Sequence, residues 1–83
     1  MSHVAHDLFQ EFAADSALLH TLKLTDAHFQ RIADQYHDLN RDIHRIETDV
    51  TPASDEHLER LKKERLALLD TVAQIIARAK AAA

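Results

Sequence analysis

From Phe29 onward the apolar residues fall at Phe29, Ile32, Tyr36, Leu39, Ile43, Ile46 and Val50, an unbroken alternation of three- and four-residue steps. That spacing lines every one of these side chains along a single seam of an α-helix and scatters them over both faces of a strand. A helix with so narrow an apolar stripe is stable only when the stripe lies against another helix, so the repeat demands a helical partner. The residues between, among them Gln30, Arg31, Asp34, Gln35, Asp38, Asn40, Arg41, Asp42, Arg45 and Glu47, read as the solvated face. Thr25 is the expected N-cap, with Asp26 placing a carboxylate in the first turn where the free N–H groups and the dipole favour it.

The partner lies on the far side of the chain's single proline. Pro52 disfavours helical backbone at Thr51, and Thr48, Asp49 and Ser54 prefer caps and turns, so the helix ends here. Ser54 followed by Asp55 and Glu56 reads as the start of a second helix, with Thr51 as N-cap and Pro52 at the first helical position as the alternative. This helix repeats the same spacing through Leu58, Leu61, Leu68, Val72, Ile75 and Ala79, broken once where Arg65 stands in the seam. Beside the seam lie Leu66, Leu69 and Ile76, making the apolar face wide enough for two neighbours. Helices of roughly 22–27 residues, about 33–40 Å long, joined by so short a turn must run antiparallel.

Composition agrees with this architecture: the chain of 83 residues has no Gly, one Pro and only 5% aromatic residues. It is rich in helix formers and lacks what strands and tight β-turns need. The expected fold is all-α, one small domain over residues 1–83, built on an antiparallel, coiled-coil-like hairpin: a helix over 25–50, a turn over 51–54 and a helix over 55–81. Residues 1–24 form an additional short N-terminal helical segment, with apolar sets at Leu8, Phe9 and Phe12 and at Leu18, Leu19, Leu22 and Leu24, and a cap at Asp15 or Ser16. Two roles for it remain open: to cover the surplus face of the second helix, in its own chain or by exchange in a dimer, or to offer Phe9 and Phe12 to another protein.

The absence of Cys removes thiolate zinc sites, iron–sulfur clusters, disulfides and cysteine nucleophiles together. There is no Gly-rich phosphate loop and no Gly-flanked nucleophile turn, so no catalytic residues are assigned and an enzyme is not expected. Seven His residues raise the question of metal, but only His3 and His6 have a helical ligand spacing, and His37 and His44 stand two turns apart. His28 and His57 fall in first turns. Met1-Ser2-His3 has the order of an amino-terminal copper or nickel chelate, with an exposed tail as the plainer reading. No metal or cofactor is therefore expected.

A net charge of −4 gives no general attraction to phosphate backbones. The one local exception is Arg60, Lys62, Lys63 and Arg65, which with Arg41 and Arg45 suggests, as the alternative function, a nucleic-acid-binding accessory protein or a patch for an acidic partner. Glu56 to Arg60 and Glu59 to Lys63 are helix-supporting i,i+4 pairs that account for much of that patch as an ordinary solvated face. The apolar runs are too short to span a bilayer and the N-terminus has no basic region followed by an apolar stretch, so a cytoplasmic location is expected.

Leu22-Lys23-Leu24-Thr25-Asp26-Ala27-His28-Phe29, Tyr36-His37-Asp38-Leu39-Asn40-Arg41-Asp42-Ile43-His44-Arg45-Ile46-Glu47, Ser54-Asp55-Glu56 and Leu61-Lys62-Lys63-Glu64-Arg65-Leu66-Ala67-Leu68-Leu69-Asp70 together resemble the YdcH family of small bacterial proteins of uncharacterised function. The likeness covers nearly the whole chain. It implies a bacterial, cytoplasmic helical hairpin and transfers no activity. Leu69 departs from the family pattern, which has Lys before the Asp, and makes the second helix more apolar. Within that pattern His28, Phe29, Tyr36, His37, Glu47 and Asp70 are the positions of interest. Phe29 and Tyr36 are seam residues, whereas His37 lies off the seam.

These readings lead to a non-enzymatic protein-interaction module. The expected contact residues are Phe9, Phe12, Leu58, Leu66, Leu69 and Ile76, with His37 beside them, and the expected partners are further copies of the chain, another protein, or both.

Overall fold

The computed structural model describes residues 8–48 and 51–82, and none of them lies in a strand. Four α-helices follow one another: α1 (Leu8–Glu11), α2 (Ser16–Thr25), α3 (Ala27–Glu47) and α4 (Asp55–Ala82), with a 3-10 turn at Ala13–Asp15 between the first two. Helices α3 and α4 pack along one another as the hairpin, and α1 and α2 fold back against α3.

Each boundary has a local cause. Asp26 takes an extended backbone, φ −120° and ψ 105°, and its carboxylate accepts the Phe29 N–H at 3.0 Å. It is therefore the N-cap of α3, and Thr25 is not. Thr25 ends α2 and donates its hydroxyl to the Thr21 carbonyl, because a helix cannot be capped by a residue that belongs to the preceding one. One extended residue thus separates α2 from α3. At the other end Thr48 closes α3 on the His44 carbonyl, and Thr51 donates its N–H back to Arg45. Ser54 caps α4, its hydroxyl accepting the His57 N–H at 3.1 Å. Lys62 and Glu47 then bridge the two helices near the turn at 3.1 Å.

The core forms where the N-terminal segment meets the hairpin: Leu8, Leu19, Leu22, Phe29, Ala33, Tyr36, Val72, Ile75 and Ile76 are buried together. Burying each large side chain contributes about 1.5–3 kcal/mol. Of the sequence seam, Phe29, Tyr36 and Ile43 are fully enclosed, but Ile32, Leu39 and Ile46 are only half-buried. Ala33 and Asn40, one position further round the helix, are enclosed in their place. Asn40, expected on the wet face, is 1% exposed. Its side-chain oxygen accepts the Arg65 guanidinium at 2.8 Å, so the one break in the α4 seam meets a polar residue of α3 across the hairpin.

Candidate functional site

The hairpin has two sides, and residues 8–25 cover only one of them. On the covered side Leu8, Leu19 and Leu22 seat against Phe29, Ala33, Val72 and Ile76, while Phe9, Phe12 and Leu69 pack around them. Phe9 also stacks on His20, ring centres 4.6 Å apart. An ion pair between Lys80 and Asp15 at 2.7 Å ties the end of α4 to the start of α2. A small cavity of about 260 Å³ remains between α1 and α3, with Leu8, Phe9, Phe29 and Ala33 in its lining and Lys23, Gln30, Asp34 and His37 at its polar margin.

Among the described residues the opposite side has no such cover. Leu39 and Ile46 share one flank of α3 by their seven-residue spacing, and depressions on this side set each of them against α4, whereas Ile32 packs against the core. In the middle, a depression of about 500 Å³ is lined by Leu39, Leu68 and Ala67, with Gln35, Asp38, Asp42 and Glu64 around them. Towards the turn, Ile46 and Leu61 continue it between Asp42, Arg45, Thr51 and His57. A separate depression at the other end, lined by Leu22 of α2 with Ile75 and Ala79, is flanked by Asp26, His28 and Arg78. The result is a shallow apolar groove, acidic at its centre and carrying Arg45 towards the turn. At 1.5 Å per residue, Leu39 to Ile46 spans about 10.5 Å, or two helical turns.

The residues singled out from sequence do not form one surface. Ile76 is 5% exposed and lies in the core, and Leu69, Phe9 and Phe12 are half-buried against it. Leu58 is half-buried near the turn, and Leu66 stands alone at 61% exposure. His37 is half-buried at the margin of the small cavity, with its ring edge-on to Tyr36. Tyr36 and Phe29 are core residues, His28 and Asp70 are exposed, and Glu47 holds Lys62. His3, His6 and the Met1-Ser2-His3 sequence lie outside the described residues, as do Asp49 and Val50.

The four cations of the sequence patch, Arg60, Lys62, Lys63 and Arg65, also separate. Arg65 turns inward to Asn40, Lys62 reaches Glu47, and Arg60 meets the His57 ring at 3.2 Å. Lys63 is exposed at the margin of a depression shared with Arg60 and with Asp55, Glu56 and Glu59. Arg41 pairs with Asp38 at 3.2 Å. A phosphate strand approaching α4 therefore meets carboxylates beside every free cation.

Among the described residues no three His, Asp or Glu side chains gather as a ligand set for a metal ion, and no helix is long and apolar enough to cross a membrane. The open groove was hidden from sequence reasoning because Leu39 and Ile46 have seam spacing, which implies full burial. The only available signal was that α4 offers a matching flank of Leu61 and Leu68.

The model of a family described as "Protein of unknown function (DUF465)" matches residues 29–76, which is the hairpin from the first core residue of α3 to the last of α4. No curated protein and no solved structure matches the chain.

Proposed function

The chain belongs to the DUF465 family of proteins of unknown function, the same family as the YdcH proteins its sequence resembles, and we propose that it is a non-enzymatic protein-interaction module whose working surface is the open side of the hairpin. The observation that carries this is the half-buried pair Leu39 and Ile46, left against Leu68 and Leu61 while the other side is closed by the chain's own N-terminal segment. A groove of that length suits a helix laid along it, the mode in which apolar anchors at i, i+3, i+4 and i+7 enter a hydrophobic trough.

Burial of Ile76 and Leu69 favours this side over the wide face of α4, which has its partner in α1 and α2. Dispersal of Arg60, Lys62, Lys63 and Arg65 into separate local pairs favours a protein over a nucleic acid.

The test is site-specific photo-crosslinking in the native cell extract, with the reactive amino acid at Gln35 or Ala67 on the groove margin and at the exposed Ala77 of α4 as control. Discrete adducts from positions 35 and 67 and none from 77 are expected. Equal yields from all three positions, or capture from 77 alone, overturn the reading.

A further inference from the structure

Resting on that reading, we infer that the groove takes a cationic amphipathic helix from a different protein: an apolar stripe seated over Leu39 and Leu68, with Lys or Arg on both sides of its midpoint. Around the central depression stand three carboxylates, Asp38, Asp42 and Glu64, and among the described residues no cation lines it. Asp42 comes from α3 and Glu64 from α4, so the two margins of the groove are both negative. Asp38 does hold Arg41, but with side chains 68% and 59% exposed that pair is weak and readily exchanged for an incoming cation. An apolar floor between two acidic margins attracts a helix whose anchors are flanked by positive charge, and repels one flanked by negative charge.

The same pattern selects against a second copy of this chain. A two-fold axis over Leu39 and Leu68 sets each carboxylate trio against its own image, like charge on like charge across a partly dehydrated surface. Arg45 at the turn end and Arg78 beside the separate depression at the other lie away from that axis. They limit the acidic zone to the middle of the hairpin, so the partner's charge belongs at the centre of its helix and not along its whole length.

The probe is a pair of synthetic helical peptides of about 18 residues, sharing one leucine stripe and differing only in whether Lys or Glu flanks its centre. Binding to the full chain is read by fluorescence anisotropy, and the contacted residues by backbone amide shifts. The Lys peptide should bind at least about ten-fold more tightly at low salt, with the gap closing as ionic strength rises past roughly 0.3 M. Amide shifts should gather around Leu39, Asp42, Glu64 and Leu68. In the double variant Asp42→Lys, Glu64→Lys the order of the two peptides should reverse, and circular dichroism of this exposed-site variant confirms that it is folded.

Equal binding of the two peptides, a preference that survives the double variant, or shifts confined to the α1–α2 side each overturn the inference. Sedimentation velocity supplies the remaining arm. A native dimer that Leu39→Glu dissociates makes a second copy the occupant, which overturns the cationic partner and leaves the open groove standing as an interaction surface. Loss of the crosslinks from positions 35 and 67 removes both.

Discussion

The Asn40–Arg65 contact is the sharpest place to test how this hairpin is held in register. Arg65→Met keeps the aliphatic stem of the side chain and removes only the guanidinium that donates to the Asn40 oxygen at 2.8 Å. A hydrogen bond from a charged donor contributes about 1.5–3 kcal/mol. Asn40 is 1% exposed, so water reaches the vacated position only by opening the helix pair, and the expected destabilisation is about 2 kcal/mol. For a domain of this size that is a fall in Tm of roughly 8–16 °C. The double variant Asn40→Leu, Arg65→Met removes both polar groups and should recover to within about 1 kcal/mol of the native protein, as buried polar pairs replaced by apolar residues commonly do. Thermal and urea unfolding followed by circular dichroism measure all four corners of the cycle, with an expected coupling of about 2 kcal/mol. A loss below about 0.5 kcal/mol for Arg65→Met, or a double variant as unstable as the two single changes summed, refutes the assignment of a structural role to this pair.

Three further outcomes follow from the fold. Removing residues 1–25 uncovers Leu69, Val72 and Ile76, so the shortened hairpin should self-associate in size-exclusion chromatography with light scattering while the full chain stays monomeric; a monomeric truncation refutes the covering role of α1 and α2. Asp26→Ala removes the α3 cap and should cost about 1 kcal/mol in urea unfolding, whereas Thr25→Ala should cost less than about half as much, the reverse of what a Thr25 cap requires. Lys80→Ala breaks an ion pair whose cation is 58% exposed, so the change in stability should stay below about 1 kcal/mol and vanish in high salt; a larger, salt-insensitive loss means the pair is more enclosed than its geometry indicates.

Much of the fold was legible in the chain itself. Periods of three and four residues are local, set by the pitch of one helix, and they located α3 and α4 without knowledge of anything distant. Pro52 and Ser54 marked the turn and the cap of α4 for equally local reasons of backbone geometry. The excess of apolar residues on α4 announced a third packing partner, and Leu8, Leu19 and Leu22 provide it.

Three things were decided only by tertiary structure. Whether Thr25 or Asp26 caps α3 depends on where α2 ends, because both side chains can cap and only one residue is left extended between the helices. Asn40 could not be moved from the solvated face to the interior by any local rule, since its partner Arg65 is 25 residues away and the two exceptions to their seams cancel only when the helices meet in register. The candidate site is the third. Seam spacing treats both flanks of a helix alike, and it was the docking of the N-terminal segment on the Ala33 side that closed one flank and left Leu39 and Ile46 open on the other, Leu39 between acidic margins. A helix's periodicity fixes which residues line its stripe, but which edge of the stripe stays accessible is set by what packs beside it, and that is a property of the assembled chain.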